Sequence, residues 1–224
     1  MKQLTDDDII EAAGGWDAIT ELGDRIENRY LQSDRPIHKW LREKLATAHF
    51  LNLHKSKNKK IIDIGTGAGW FPFICKLYGH DCLGTDEGGR LHYDPVYEFL
   101  NIPFEHMLVY PNVPMQLDSK YDYITAHRAF FPQRPRSWEK DEWKFFLNDA
   151  RTYLNNDGGL FLGCNAGFKL DPVYRHLPKD QVSHWGNKEL GAWFAPYVIP
   201  TNGKEIKQAT LYIPFNEIEK LLST

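Results

Sequence analysis

The sequence predicts an α/β protein built on a doubly wound, mostly parallel sheet, with a helical cap over residues 1–58 and the sheet domain over residues 59–224. Three observations predict it. From Lys60 onward, short apolar runs alternate with helical stretches, the pattern of strands joined by helical crossovers. Before Lys60 the apolar residues recur at helical spacing instead. A cluster of glycines falls between the first apolar run and the helix after it, where a parallel sheet places its ligand-binding turns.

The cap opens with Thr5 and, three residues on, Asp8, which together imitate a capping box, and Gly14-Gly15 closes that first short helix. Asp34 is placed to cap a longer helix with Pro36 in its first turn. Along it Ile37, Trp40, Leu41, Leu45, Ala48 and Leu51 or Leu53 trace one apolar stripe. Charge divides the same region. Residues 1–34 carry nine acids against three bases, whereas residues 35–60 carry eight bases against Glu43 alone. Two solvated helix faces are the plainer reading, and attraction between the segments is the sharper one. The run Lys55-Ser56-Lys57-Asn58-Lys59-Lys60 reads as a polar loop feeding a strand.

In the sheet domain, residues 61–64 read as a buried strand, 71–78 as a helix closed by Gly79, and 81–85 as the next strand, which makes a βαβ unit. Residues 95–100 follow as a helix, 104–109 as a strand and 121–126 as another. Trp143, Phe146, Leu147, Ala150 and Leu154 keep helical spacing until Asn155-Asn156-Asp157-Gly158-Gly159, and a strand follows at 160–164. A helix is expected over Lys188–Phe194. Residues 197–199 and 206–213, joined through Asn202-Gly203, read as an antiparallel pair at one sheet edge.

Composition narrows the class of protein. The 224 residues suit one compact domain with an appended cap, and 42% hydrophobic with 14% aromatic residues supply a core, which excludes general disorder. Cys75, Cys82 and Cys164 are odd in number and lack a CxxC spacing, so neither a disulfide framework nor a thiolate zinc site is expected. The nine histidines contain no HxxxH pair, and no metal is expected. No apolar run is long enough for a membrane span, and the acidic start is unlike a basic secretory leader. The expected location is the cytoplasm. A net charge of -3 gives no global field for nucleic acid.

The informative segment is Ile61-Ile62-Asp63-Ile64-Gly65-Thr66-Gly67-Ala68-Gly69-Trp70. A chain that turns sharply off a strand and lets a ligand touch its backbone needs residues without Cβ, and Gly65, Gly67 and Gly69 meet that need. A dinucleotide fingerprint would place its third glycine where Trp70 stands, and that side chain disfavours pyrophosphate binding. Asp63, at the end of the strand, would repel a diphosphate and attract an ammonium or sulfonium. Asp86 stands at the end of the second strand and can accept from both hydroxyls of a ribose.

A ribonucleoside carrying a cationic amino-acid tail describes S-adenosylmethionine (SAM). At this point the chain resembles the class I SAM-dependent methyltransferase family, whose D-x-G-x-G-x-G motif it matches from Asp63 to Gly69. The resemblance covers residues 60–164 and extends more weakly to 213. It implies a Rossmann-like, seven-stranded sheet with one antiparallel strand and the cofactor across the strand ends. It further implies that Asp63 and Gly65 hold the methionine part, that Gly67 and Gly69 line the turn with Thr66 and Trp70 beside them, and that Asp86 clasps the ribose next to Glu87. Tyr121-Asp122-Tyr123-Ile124 resembles the family's fourth-strand signature, which leaves Ala126-His127-Arg128 opening toward the substrate. Many relatives place an Asp after the third strand. This chain has Val109-Tyr110-Pro111-Asn112, so Tyr110 or Asn112 substitutes there or backbone holds the adenine.

Methyl transfer from a sulfonium is an in-line displacement, so alignment is the protein's main contribution. His127 is the candidate general base for a hydroxyl or ammonium acceptor, beside the plainer reading of a structural histidine. Arg128, Arg134 and Arg136, with Pro132 and Pro135, form a candidate basic rim for an anionic substrate, or else a solvated loop. Tyr30, His38 and Trp40 are candidates for closing the site, Tyr30 as a substrate contact. The [DNS]-P-P-[YFW] sequence of base-amino methyltransferases is missing after the fourth strand. The expectation is therefore O- or N-methylation of a small molecule. The alternatives are RNA or another macromolecule as acceptor, and a noncatalytic binding module.

Overall fold

A computed structural model of the chain describes residues 2–28, 30–87, 93–129, 138–164, 188–199 and 210–224. They form an α/β protein whose mostly parallel sheet has six strands, three in each of two compact units, Met1–Met107 and Leu108–Thr224. No described helix is long and apolar enough to cross a membrane.

The first unit begins with three helices: α1 (Asp6–Ala12), α2 (Gly15–Arg25) and α3 (Asp34–Phe50). Thr5 caps α1 as expected, accepting from the Asp8 N–H while the Asp8 carboxylate accepts from the Thr5 N–H at 2.7 Å. The Thr5 backbone and hydroxyl donors, aided by Lys2, hold the Asp8 carboxyl down at about 2. Gly14 does more than close α1. Its left-handed backbone, φ 95°, leads straight into Gly15 as the first residue of α2, a helix the glycine pair hid in the sequence. The cap of α3 is Ser33 rather than Asp34, because Ser33 has the extended backbone and Asp34 is already helical. The Asp6 carboxylate accepts from the His38 ring at 2.7 Å and from Arg42 at 3.1 Å, so the acidic and basic segments do meet. Burial raises the Asp6 carboxyl, and these two donors outweigh it to leave a lowered value. The stripe of α3 is buried at Ile37, Leu41, Leu45 and Ala48, and Leu51 and Leu53 continue it beyond the helix.

After α3 come β1 (Lys60–Ile64), α4 (Trp70–Leu77), β2 (Asp81–Asp86), α5 (Asp94–Leu100) and β3 (Phe104–His106). The strand order is β3-β2-β1, all parallel, with Asp63 opposite Gly84 and Ile64 opposite Thr85. Helix α4 buries Trp70, Phe71, Phe73, Ile74 and Cys75, which matches its almost continuous apolar sequence. The third strand is shorter than the 104–109 run suggested. Pairing with β2 ends at His106; beyond it Leu108 is exposed and Val109 is buried, so the second half of the run lies outside the ladder with β2.

The second unit contains β4 (Tyr121–Ala129), α6 (Lys140–Thr152), β5 (Leu154–Cys164), α7 (Lys188–Phe194), β6 (Thr210–Pro214) and α8 (Phe215–Leu222), with strands in the order β4-β5-β6. β4 and β5 are parallel, and β6 is antiparallel to β5. Trp138, Trp143 and Phe194 form an aromatic core, with Trp143 edge-on to the other two at 5.4 and 5.1 Å. The turn-like residues 155–159 do not separate helix from strand. Leu154 already pairs with Tyr121, and the pairing resumes at Gly159 with Tyr123, so residues 155–158 bulge from β5. A Cβ on Gly158 would strike the Asp122 carbonyl.

Among the described residues the sheet has six strands, not the seven the family resemblance implies. The strand expected at residues 197–199 is, among the described residues, a single antiparallel bridge from Val198 to Leu211 after the 3-10 turn Ala195–Tyr197. Pro196 lacks the N–H a ladder needs. The expected Asn202-Gly203 turn lies outside the described residues.

Candidate cofactor site

β1 ends at Ile64, and the chain leaves it through Gly65, Gly67 and Gly69 with φ of 68°, 59° and 72°. These left-handed values suit glycine and strain other residues. The turn is held by its own N–H groups. Thr66 N–H donates to the Thr85 carbonyl at 2.9 Å, Gly67 N–H to the Asp86 carboxylate at 2.9 Å, and Gly69 N–H to the Thr66 carbonyl at 3.3 Å. The second Asp86 oxygen accepts from Glu87 N–H at 2.8 Å. Each oxygen of a carboxylate can accept more than one hydrogen bond, so Asp86 keeps capacity for further donors.

The three glycines differ in surroundings. A Cβ on Gly69 would run into the Ile102 side chain and lie 3.1 Å from the Tyr97 ring, so this glycine permits close packing. Among the described residues, a Cβ on Gly65 or Gly67 would meet nothing within 4 Å. Space therefore opens over the first two glycines. Asp63 is fully buried at the end of β1, and Asp86 is half-buried. Burial raises the Asp86 carboxyl, against the lowering effect of the Gly67 and Glu87 donors. Thr66 Oγ1 and Trp70 Nε1 are buried and have no hydrogen-bond partner among the described residues.

This chemistry separates ligands. A loop that cradles phosphates directs N–H groups at the ligand, whereas Thr66, Gly67 and Gly69 here direct theirs at the chain's own oxygens. Two carboxylates in one neighbourhood also oppose an anion and suit a ligand with a cationic end and hydroxyl donors. A nucleoside with an amino-acid tail fits the residues present: space over Gly65 and Gly67, carboxylates at Asp63 and Asp86, and buried polar atoms at Thr66 and Trp70.

Of the residues singled out in the sequence, the first unit gathers Asp63, Gly65, Thr66, Gly67, Gly69, Trp70, Asp86 and Glu87 around the βαβ turn. Tyr30 stacks at a tilt against Trp40, ring centroids 5.5 Å apart. His38 is committed elsewhere, to Asp6 and to the Trp16 ring at 5.3 Å. Two residues escaped sequence reasoning. Tyr97 donates its hydroxyl hydrogen to the Gly67 carbonyl. The Tyr93 phenol is pushed up by burial, and further by the Asp86 carboxylate. Their only sequence signal is the four-residue spacing of two tyrosines on one face of α5.

In the second unit His127 lies on β4, opposite Gly163, with its ring 5.6 Å from Phe161. Arg128 follows at a register shift between His127 and Ala129, with φ 55°. A left-handed arginine at a bulge is a strained conformation of the kind found at functional sites. Val109 is buried, whereas Tyr110 and Asn112 are exposed. Arg134 and Arg136, with Pro132 and Pro135, lie outside the described residues. Among the described residues Asp6, Asp7 and His38 could together reach a metal ion, but Asp6 already accepts from His38 and Arg42.

No family model and no curated protein matches the chain. Solved structures do. A TehB-like SAM-dependent methyltransferase from Corynebacterium glutamicum is 20% identical over 59% of this chain and 66% of its own, with a TM-score of 0.44. A SAM-dependent methyltransferase from Clostridium acetobutylicum is 12% identical over 71% of this chain and 61% of its own, TM-score 0.46. A SAM-bound amino pentose methyltransferase from Micromonospora echinaspora, involved in calicheamicin biosynthesis, is 14% identical over 64% and 55%, TM-score 0.44. The chain thus spans less than two thirds of the length of each. What it is similar to, in all three cases, is a SAM-dependent methyltransferase.

Proposed function

We propose that this chain is a class I SAM-dependent methyltransferase that transfers the methyl group to an oxygen or nitrogen of a small-molecule acceptor. The observation that carries the reading is the glycine turn: its N–H groups are bonded within the chain, open space lies over Gly65 and Gly67, and Asp63 and Asp86 frame it. When bound, SAM supplies a methyl group already activated on a sulfonium.

The residues then divide the work. Asp63 holds the ammonium of the methionine part, assisted by the backbone at Gly65. Gly67 and Gly69 let the ligand and α5 approach the turn from opposite sides. Asp86, its carboxylate oriented by two backbone donors, receives the ribose hydroxyls, with Glu87 beside it. Backbone near Val109 and Tyr110 borders the adenine. His127 is the general base that accepts the acceptor's proton when the acceptor is a hydroxyl or an ammonium. Arg128 and Arg134 pair with an anionic group on the substrate. The helices of residues 1–58, with Tyr30 as a substrate contact, exclude water during transfer. The setting in this reading is the cytoplasm, without nucleic acid as partner.

Titration calorimetry with S-adenosylhomocysteine (SAH), SAM, NAD and ATP tests the cofactor. Binding of SAH and SAM without NAD or ATP is expected. Uptake of NAD or ATP without SAH would overturn the reading. Incubation with methyl-labelled SAM and a small-molecule cell extract, separated by mass, tests the acceptor. Label found in RNA or protein instead would move the substrate to a macromolecule, and cofactor binding with no labelled product would favour a noncatalytic module.

A further inference from the structure

We propose that Tyr97 is a positioning residue for the cofactor: its hydroxyl holds the Gly67 carbonyl while Asp86 holds the Gly67 N–H, and so sets the shape of the open turn. This rests on the SAM reading above and adds a residue from outside the glycine motif.

The Gly67 peptide groups are held at two points. Its N–H donates to Asp86 Oδ2 at 2.9 Å, and its carbonyl accepts from the Tyr97 hydroxyl. Tyr97 comes from α5, 30 positions along the chain. Its own place is fixed by packing. The ring stacks on Phe104 of β3, centroids 3.8 Å apart and planes 18° from parallel. The same ring lies close to Gly69, where a Cβ would come to 3.1 Å. One side chain thus touches two of the three glycines, one by its hydroxyl and one by its ring.

The clamp matters because Gly67 adjoins the open space and also contacts the carboxylate assigned to the ribose. With φ 59° and no described residue within 4 Å of where its Cβ would stand, Gly67 is not confined by packing there. Glycine has many alternative conformations there. Without the Tyr97 hydroxyl the Gly67–Ala68 peptide can rotate, and Gly67, whose N–H orients Asp86 Oδ2, keeps only one of the two bonds that fix it. The turn would have to be reordered on each binding event, which lowers affinity without removing a direct ligand contact. Burial and the nearby Asp86 carboxylate push the Tyr97 phenol up, so it stays a protonated donor at every working pH.

The test compares Tyr97→Phe, which removes the hydroxyl and keeps the ring, with Phe104→Leu, which loosens the stack and keeps the hydroxyl. SAH affinity is read by calorimetry, thermal unfolding without ligand, and amide hydrogen exchange over residues 65–69 without ligand. Tyr97→Phe is expected to weaken SAH about 5- to 10-fold, the scale of one hydrogen bond, and to speed exchange at Gly67 and Gly69 with unfolding lowered by about 2–4 °C. Phe104→Leu is expected to lower the unfolding temperature and leave SAH affinity within about twofold. Parent-like SAH affinity in Tyr97→Phe, or equal affinity losses in both variants, would overturn the proposal. If the parent bound no SAH, the cofactor reading and the positioning role would fail together. If the parent bound SAH and only the variants departed from expectation, the positioning role alone would fail.

Discussion

Gly67→Ala and Gly69→Ala are nearly the same change in sequence, and the structure separates their consequences. Both residues have left-handed backbones, so alanine carries a strain of about 1–2 kcal/mol at either position. At Gly67 that is the whole structural cost, because the new methyl group enters open space. At Gly69 the methyl group strikes Ile102 and crowds the Tyr97 ring at 3.1 Å, and forcing an extra methyl into packed surroundings adds about 1–3 kcal/mol. The expected destabilisation is about 1–2 kcal/mol for Gly67→Ala and about 2–5 kcal/mol for Gly69→Ala. Binding should run the other way in severity. The Gly67 methyl occupies space assigned to the cofactor, so SAH affinity should fall by tenfold or more in a protein that still folds. Urea unfolding with matched slopes measures the first quantity and calorimetry the second. Equal stabilities in the two variants would refute the packing argument. Parent-like SAH affinity in Gly67→Ala would refute the placement of the cofactor over that glycine.

Replacing Asp63 with Asn should weaken SAH by tenfold or more while 5′-methylthioadenosine, which lacks the amino-acid tail, binds as before; equal losses for the two ligands would remove Asp63 from the ammonium. His127→Ala should cut transfer to a hydroxyl or ammonium acceptor and leave SAH affinity unchanged, and an unchanged transfer rate would return His127 to a structural role. Asp8 predicts a pH dependence. Its carboxyl is lowered from 3.8 to about 2 by the Thr5 donors, so its contribution is present above 3.8 and disappears as pH falls through about 2. Urea midpoints measured from pH 5 to pH 2 should fall less in Asp8→Asn than in the parent, and parallel curves would show that the α1 cap does not titrate as described.

The cap of α1, the stripe of α3, the ends of α4 and the glycine turn were legible because each depends on residues a few positions apart. Thr5 finds Asp8 within one helical turn, and Gly65, Gly67 and Gly69 announce a backbone that other residues tolerate poorly. Similar local signals misled where partners were distant. Residues 155–159 have the composition of a helix stop, yet 155–158 bulge from a strand because Leu154 pairs with Tyr121 and Gly159 with Tyr123. Residues 104–109 have the apolar content of a full strand, but β2 pairs with it only as far as His106.

By itself the sequence determined an α/β chain with a glycine turn flanked by two acids, since backbone freedom, capping and hydrophobic period are written into neighbouring residues. Only the tertiary structure decided that the turn spends its N–H groups on Thr85, Asp86 and Thr66, that space opens over Gly65 and Gly67 but not over Gly69, and that Tyr97 grips the Gly67 carbonyl. The physical reason is separation along the chain. Asp86 lies 19 positions from Gly67 and Tyr97 lies 30, and no local rule pairs residues that meet only after strands have paired and α5 has packed against the turn.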